Sequence, residues 1–173
     1  MDSLKDKIII RQAQKKDVPD INGILNYAIM NTNYNLNTSP RSEEQAYEWY
    51  ESHIKEDYPV IVAELKGKVI GWASLSHFRS YSGYNTTAEV SIYVSVNHRR
   101  KGVGTTMLTT LLTMAQGKYH CLVAVVTDNN WASLALHTRC GFIANTTFRE
   151  IGYKNNTFID ITFMTKLLPY KPK

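Results

Sequence analysis

The hydrophobic residues of this chain follow two periods, one of three to four residues and one of two, in an order that predicts alternating helices and strands. Apolar residues at helical spacing run from position 18 to 28, and Asp17 is placed to cap that helix, with Pro19 in its first turn. Ser42 opens an S-x-x-Q capping box, which predicts a second helix to about residue 54. The same spacing predicts helices over residues 103–115, ended by Gly117, and 130–139, closed by Gly141.

Strands are predicted where apolar residues alternate with polar ones or form short runs. The clearest alternation covers residues 89–96 and places Glu89, Ser91, Tyr93 and Ser95 on one face. The continuously apolar run 121–126 is typical of a strand buried on both faces. Further runs predict strands over residues 7–11, 59–64, 69–74, 143–148 and 158–167, of which the second and third form a hairpin. Together these elements predict a mixed α/β sheet covered by helices.

The length of 173 residues and the ordinary composition, 43% hydrophobic and 20% charged, predict a single globular domain over residues 1–173. No apolar run approaches the roughly 20 residues of a membrane-spanning helix. The first seven residues are polar and mixed in charge, unlike a secretory signal. Cys121 and Cys140 lack the number and spacing for a disulfide framework or a cysteine metal cluster. We therefore expect a soluble, cytoplasmic protein with no metal and no membrane partner.

Basic residues exceed acidic ones, 20 to 15, which gives a formal net charge of +5 and admits an anionic partner. The one dense basic cluster, residues 98–101, is followed directly by glycines. A nucleic-acid binder more often spreads its basic residues along a face with aromatic residues between them. The pattern favours a compact phosphate-bearing ligand, and we expect no nucleic-acid partner.

A strand, a basic turn and two glycines that open a helix make residues 94–106 the most informative stretch. Gly102 and Gly104 let backbone N–H groups approach a ligand closely, and a helix N-terminus favours negative charge, so the stretch predicts a pyrophosphate-sized anion site. The Walker A pattern is absent, and the dinucleotide fingerprint needs a third glycine where Met107 stands. The alternative is an ordinary helix with a glycine-rich first turn.

Two motifs in the right order resemble the GNAT superfamily of N-acetyltransferases. Residues 99–104, Arg-Arg-Lys-Gly-Val-Gly, match its acetyl-CoA signature R/Q-x-x-G-x-G/A. Residues 130–142, which begin with Asn130 and end with Gly-Phe, resemble its second motif. The resemblance implies the GNAT fold: a mixed, mostly antiparallel sheet of about seven strands flanked by helices, with acetyl-CoA in a cleft between the fourth and fifth strands.

Residues 87–95, T-A-E-V-S-I-Y-V-S, resemble the T-x-E-x-S-V-Y-V-S strand of phosphinothricin-type acetyltransferases. Similar stretches lie at 58–64, 135–137 and 158–164, and the likeness extends over a core of about residues 8–168. It implies transfer of an acetyl group from a CoA thioester to the primary amine of a small molecule. An amino acid or an analogue of the phosphinothricin or methionine sulfoximine type is the implied substrate. A homodimer formed through the late strands is implied as well.

The implied contacts with acetyl-CoA are mostly made by the main chain. The end of the strand, residues 94–96, would bond the pantetheine arm, and the Val94 amide would polarise the thioester carbonyl. Main-chain donors of residues 99–105 would bind the pyrophosphate, and Asn130 would bond the pantetheine. The cofactor-binding candidates are Val94, Ser95, Val96, Arg99, Arg100, Lys101, Gly102, Val103, Gly104, Thr105, Asn130 and Ser133.

Glu89 and His137 are the catalytic candidates. A glutamate with an ordinary pKa of about 4.3 is poorly matched to an amine near 10, so Glu89 would act as a base through ordered water or with a pKa raised by burial. The alternative is a strand glutamate paired with a nearby Arg or Lys. His137 stands where many superfamily members carry a tyrosine that can protonate the leaving thiolate. It is expected to act as an acid or as a hydrogen-bonding positioner, the alternative being a satisfied core histidine.

The substrate side departs from the phosphinothricin type. Residues 77–84 align with a stretch that commonly holds two basic residues; Arg79 keeps the first position, and Tyr81 replaces the second. An arginine fork is the natural reader of a carboxylate or phosphinate, so the change bears directly on the substrate. Arg79, Tyr84 and Tyr93 are the substrate-binding candidates, with a surface role as the alternative for the first two. The polar segment 31–40 is predicted to be a loop, the kind of segment that often carries function.

Two classes of function are consistent with these residues. An acetyl-CoA-dependent N-acetyltransferase for a small amine is favoured by the paired motifs together with Glu89. Acetylation of a protein or peptide amine stays within the same enzyme class. A CoA-binding sensor that has lost turnover is the other class, and Tyr81 is its motivation.

Overall fold

The structure, a computed structural model, describes residues 7–171. The first six residues, which include most of the segment predicted not to be a secretory signal, lie outside the described residues. The elements in chain order are β1 Ile9–Gln12, α1 Val18–Asn31, α2 Glu43–Lys55, β2 Val60–Leu65, β3 Lys68–His77, β4 Thr87–Val94, α3 Val103–Ala115, β5 Cys121–Thr127, α4 Trp131–Arg139, β6 Ile143–Lys154 and β7 Thr157–Leu167.

The strands form one seven-stranded sheet in the order β1-β2-β3-β4-β5-β7-β6. Every neighbouring pair is antiparallel except β4 and β5, which are parallel. A parallel pair needs a crossover connection, and α3 supplies it. The predicted mixed, mostly antiparallel sheet of about seven strands is therefore confirmed.

The central strands β2 and β3 are buried on both faces, because helices cover each side of the sheet there. Alternate residues of β2 enter different cores: Ile61 and Ala63 pack with α3, whereas Val60 and Val62 pack with α1 and α2. This explains why the run 60–63 is apolar without alternation. On β4 the same division leaves Val90 in the α3 core and turns Glu89, Ser91 and Tyr93 toward the α1 side.

The start of α1 differs in one respect from the sequence prediction. Asp17 is the N-cap residue, but its side chain makes no cap hydrogen bond. Its carboxylate accepts hydrogen bonds from the Arg11 guanidinium at 2.6 and 2.9 Å and from the Gln14 N–H at 2.8 Å. Burial on its own raises the pKa of Asp17, but these bonds outweigh it and hold the pKa below its ordinary value. Asp17 therefore joins the start of α1 to Arg11 of β1. Arg11 also donates to Glu64 of β2, so one guanidinium links the helix start to two strands.

Three strand predictions need adjustment. The strand predicted over 143–148 continues to Lys154, because a register shift between Phe148 and Gly152 lets pairing with β7 resume. β4 ends at Val94, so Ser95 lies outside the strand whose face it was predicted to share. Val125 is 39% exposed, so β5 is not covered on both faces along its whole length.

Over residues 7–171, no helix combines the length and the hydropathy that crossing a membrane requires.

The packing of α3 gives the first testable expectation. Met107 is fully buried in the core between α3 and the sheet, whereas Met114 on the same helix is 41% exposed. We expect Met107→Ala to lower the free energy of unfolding by about 2–5 kcal/mol, because it removes buried surface and leaves a cavity. Met114→Ala, the matched control, should change it by less than about 1 kcal/mol. Urea denaturation followed by circular dichroism measures both, and equal losses would contradict this packing.

Candidate active site

A cleft opens where β4 and β5 diverge. The two strands pair only from Thr87 with Cys121 to Glu89 with Val123, and beyond this point no pairing joins them. β4 continues to Val94 and β5 to Thr127, so the strands form the two sides of an open V. The cleft has a volume of about 990 Å³ and is closed by the loop after α1, the turn before α3, and α4.

The main chain of β4 presents polar groups to this cleft. Val94 stands opposite Gly71 of β3, and the adjacent amide of Ser95 donates to the Ile70 carbonyl at 2.9 Å. In an antiparallel pair this pattern makes Val94 and Gly71 a non-hydrogen-bonded pair, so the N–H and C=O of Val94 point away from β3. They face the cleft, because β5 has already separated. The Val94 carbonyl accepts from Arg99 Nε at 3.1 Å, which fixes the following turn to the strand.

The turn between β4 and α3 gathers backbone N–H groups at a helix N-terminus. Arg100 and Gly102 both have positive φ, 61° and 81°. The first intrahelical hydrogen bond runs from the Thr106 N–H to the Gly102 carbonyl. The amides of residues 103–105 therefore have no acceptor within the helix and are free for an anion. Since Arg99, Arg100 and Lys101 add positive charge, the turn is suited to a pyrophosphate.

Gly104 is required by a close approach of three elements. A Cβ at this position would lie 3.1 Å from a Leu136 methyl on α4 and 3.9 Å from a Val94 methyl on β4. A larger side chain would push α4 away from the cleft. α4 begins at Trp131 and is capped by Asn130, whose side chain accepts from the Ser133 N–H at 3.2 Å.

Glu89 lies near the closed end of the V, where β4 and β5 still pair. Burial raises the pKa of its carboxyl above the ordinary value, and the positive charge of Arg79 offsets part of that rise. Among the described residues no ion pair to Glu89 is formed, so the expected alternative of a paired strand glutamate has no support here. A carboxylate in this setting is a stronger base than an exposed one.

His137 is 2% exposed and stands in the cleft beside Phe142, with the two rings 5.0 Å apart. Its Nδ1 lies 2.9 Å from the Ser133 carbonyl, which can only accept, so Nδ1 carries the proton. Burial lowers the pKa of His137, and the bond to Ser133 offsets part of the decrease. The ring is therefore neutral at pH 7, and its buried Nε2, which has no partner among the described residues, is an acceptor.

The loop after α1 forms one side of the cleft through residues that sequence reasoning did not single out. Tyr34, Asn35 and Leu36 line the cleft. Asn35 Nδ2 donates to the Tyr93 hydroxyl at 2.9 Å, and the Tyr93 ring stacks on Trp72 with centroids 5.0 Å apart. The only signal in the sequence was the polar, turn-rich character of residues 31–40, which predicted a functional loop but no particular residue.

Most of the predicted site residues come together around the cleft. Those that line it are Glu89, Tyr93, Val94, Arg99, Arg100, Gly102, Val103, Gly104, Thr105, Asn130, Ser133 and His137. Those that do not are Arg79, Tyr84, Ser95, Val96 and Lys101. The Ser95 amide is occupied by Ile70, and its hydroxyl bonds His98 Nδ1 at 2.7 Å, so Ser95 has no free main-chain donor for a ligand.

The predicted substrate-binding stretch after β3 is largely exposed. Arg79 lies over the ring of Phe78, 5.3 Å from its centroid, and Phe78 packs edge-on against Tyr84. Tyr81, which replaces the expected second basic residue, is 75% exposed. Arg79 does not line the cleft, but its positive charge offsets part of the rise that burial causes in the pKa of Glu89.

The described residues 7–171 hold no group of three or more His, Cys, Asp or Glu side chains able to bind a metal ion. Besides main-chain donors, the polar groups that line the cleft include the Glu89 carboxyl, the His137 imidazole and the Tyr93 hydroxyl.

Comparisons with known proteins agree with this geometry. The L-methionine sulfoximine/L-methionine sulfone acetyltransferase of Pseudomonas paraeruginosa is 34% identical over 90% of this chain and 91% of its own length. The phosphinothricin N-acetyltransferase of Streptomyces viridochromogenes is 34% identical over 95% of this chain and 91% of its own. The structure of YncA from Salmonella typhimurium with its cofactor acetyl-CoA superposes with a TM-score of 0.91, at 34% identity and 94% coverage of each chain.

A model of the acetyltransferase (GNAT) family matches residues 26–142, a segment that contains β4, the glycine turn, β5 and α4. The GNAT fold, with its cleft between the fourth and fifth strands, and the N-acetyltransferase class are thus confirmed, as is the likeness to phosphinothricin acetyltransferases. The chain belongs to the acetyltransferase (GNAT) family.

Proposed function

We propose that this protein transfers the acetyl group of acetyl-CoA to the primary amine of a small amino acid or amino-acid analogue. The observation that carries the proposal is the way β4 borders the cleft. Along this strand the cleft meets the carboxyl of Glu89, whose pKa is raised by burial, and the Val94 N–H, which points away from β3. The activities for which the relatives are named, on methionine sulfoximine, methionine sulfone and phosphinothricin, support this substrate class. Residues 8–168 act as one catalytic domain in this proposal.

Acetyl-CoA fits the donors on the β4 side of the cleft. The free amides of residues 103–105 suit the pyrophosphate, with Arg99 and Arg100 adding charge. The Val94 N–H is placed to bond the thioester carbonyl, where a donor stabilises the negative charge that develops during transfer. Asn130 retains an amide donor for the pantetheine, because its side-chain oxygen is already used to cap α4. Ser95 is not a main-chain donor in this scheme.

Glu89 is the proposed general base. The amine must lose its proton before it attacks the thioester, and a partly buried carboxylate accepts that proton through an ordered water. The tyrosine hydroxyl of Tyr93, whose pKa burial raises, stays neutral and can orient the amine or that water. Arg79 and Tyr84, at the exposed rim, are the proposed contacts for the far end of the substrate.

For His137 the hydrogen bonds favour positioning over acid catalysis. Its proton is held on Nδ1 by the Ser133 carbonyl, and burial disfavours the cation that an acid would need. We propose that Nε2 accepts a hydrogen bond from bound substrate or water. The leaving thiolate then takes its proton from the ammonium formed on the attacking nitrogen or from solvent.

An assay of thiol release from acetyl-CoA tests the proposed function. The panel of amines is methionine sulfone, methionine sulfoximine, phosphinothricin, free amino acids, a polyamine and a short peptide. Turnover on the first four classes supports the proposal, and shows that Arg79 suffices where Tyr81 has replaced a second basic residue. Turnover confined to the polyamine or peptide would keep the N-acetyltransferase class but assign a different amine substrate. Tight acetyl-CoA binding without any turnover would favour a sensor.

A cytoplasmic location stays a prediction.

Substitution of Glu89 tests the base. In the wild-type protein kcat/KM should rise with pH through the raised pKa of Glu89, because the protonated carboxyl below that pKa cannot accept a proton. Glu89→Gln should lower kcat/KM by about a hundredfold or more and remove this acidic limb. Glu44→Gln, at an exposed position in the first turn of α2, is the control and should leave the profile unchanged. Persistence of the limb in Glu89→Gln would assign it to another group.

We further propose a homodimer formed through β6 and β7. β6 is an edge strand, and all its residues from 143 to 151 are exposed. The exposed apolar side chains of the hairpin include Ile143, Ile151, Phe158 and Leu167, an unusual density for a surface in contact with water.

Light scattering coupled to size-exclusion chromatography measures this association. We expect the wild-type protein to elute at twice the mass of one chain, and Ile151→Lys combined with Phe158→Lys to elute as a monomer, because buried ammonium groups would oppose pairing. Ile54→Lys, at an exposed apolar position on α2, is the control and should stay dimeric. A wild-type monomer at all concentrations would exclude the dimer.

A further inference from the structure

Lys154, the last residue of β6, is a lysine whose side chain is buried. It is 4% exposed, and its ammonium donates to three main-chain carbonyls: Ile29 at 2.6 Å, Thr32 at 3.0 Å and Asn35 at 2.6 Å. An ammonium group has three N–H donors, so each of them has an acceptor. This full set of bonds is what makes burial of the charge tolerable.

The three carbonyls belong to the end of α1 and the loop that follows it. Ile29 is in the last turn of the helix, where carbonyls lack intrahelical partners and the helix dipole is negative. Thr32 and Asn35 lie in the loop, 122 and 119 residues away from Lys154 in sequence. A second link joins the same two segments, since Asn155 Nδ2 donates to Asn33 Oδ1 at 2.9 Å. The β6–β7 turn therefore holds the loop at several points.

The loop held in this way is a side of the active-site cleft. Residues 34–36 line the cleft, and Asn35 also bonds the Tyr93 hydroxyl. Leu36 packs against the β6 backbone, where a Cβ at Gly152 would lie 3.1 Å from its methyl group. The Lys154 ammonium and the Tyr93 hydroxyl thus fix Asn35 from opposite sides, one through its carbonyl and the other through its amide.

Ordinary surface pairing does not account for this lysine. None of the ion pairs among the described residues includes Lys154. Burial lowers its pKa, which means that the charge is held at some cost in solvation. A methionine of similar length would fill the same space without the charge, but it would leave three carbonyls without their donor.

We propose that Lys154 is a positioning residue for the amine substrate, which it serves by holding loop residues 32–36 at the side of the cleft next to Tyr93. The proposal rests on the proposed function, since it assigns the loop to the substrate side. In the proposed function acetyl-CoA binds at the β4–α3 turn, whereas the hydrogen bonds of the Lys154 ammonium among the described residues all go to Ile29, Thr32 and Asn35. The loss of Lys154 therefore weakens binding of the amine and spares binding of acetyl-CoA.

Steady-state kinetics of Lys154→Met, with both substrates varied, tests the role. We expect the KM for the amine to rise about tenfold or more, because a displaced loop misplaces the nucleophile, while the KM for acetyl-CoA stays within about twofold. Lys68→Met, at an exposed strand lysine on the β2–β3 hairpin, is the matched control and should change neither value. Lys154→Arg keeps the charge but has a planar fork that cannot meet all three carbonyls alike, and should give an intermediate KM.

Amide hydrogen exchange supplies a readout independent of turnover. Within the loop the Thr32 N–H bonds the Ala28 carbonyl and the Tyr34 N–H bonds the Thr32 hydroxyl. These two amides should exchange more slowly in the wild-type protein than in Lys154→Met, with the amides of residues 103–106 unchanged. An unaltered amine KM in the folded variant, or equal rises in both KM values, would overturn the positioning role. Exchange of the Thr32 and Tyr34 amides at the rate of an unfolded chain in the wild-type protein would overturn it even if Lys154→Met failed to fold. Lack of wild-type turnover on every amine would instead contradict the proposed function, and with it the assignment of this loop to a substrate.

Discussion

The site depends on a single interruption in the sheet. Parallel pairing between β4 and β5 stops after Glu89 and Val123, although both strands continue. From that point the main-chain groups on one edge of β4 have no strand partner, which in a sheet interior would be destabilising. Here the open edge is where a ligand with its own amide groups can be accommodated. The remaining elements are arranged around this opening, with α3 as the crossover that keeps the strands parallel yet lets them separate.

Each side of the opening is held by a different kind of interaction. The turn before α3 is fixed by the Arg99 bond to the Val94 carbonyl and by the small size of Gly104, which lets α4 approach. The opposite side is a loop with no regular structure, held by polar bonds to Tyr93 and to the ammonium of Lys154. Regular elements thus support the side proposed for acetyl-CoA, and specific side chains support the side proposed for the amine. That division is consistent with a family in which the cofactor is common and the amine differs.

The elements that the sequence predicted well are those that local chemistry determines. The capping box at Ser42, the period of two along β4 and the glycines around α3 each depend on neighbouring residues, and the structure agrees with them. Two of the predictions that failed involve partners outside the predicted element itself. Asp17 bonds Arg11 rather than the helix amides, and β6 continues past Phe148 because β7 resumes pairing with it. No local pattern contains either contact.

The same distinction applies to the site. Alternation along β4 could place Glu89 on the face that it shares with Ser91 and Tyr93, whereas the role of the Val94 amide came from the resemblance to the GNAT family. Asn35 and Lys154 could not be placed, since they meet only after 119 residues of chain have folded between them. The assignment of His137 as an acid or a positioner also depended on a neighbour, because the Ser133 carbonyl determines which ring nitrogen carries the proton.

The outward direction of the Val94 peptide has a consequence for how this scaffold can diverge. A contact made by a main-chain amide survives nearly any change of side chain, so the residues around Val94 can vary while the cofactor stays bound. Under the proposed function, selection on a new amine then acts on few positions, mainly the loop at 34–36 that lines the cleft. A fold that recognises its cofactor through the backbone can therefore acquire new substrates without first losing its reaction.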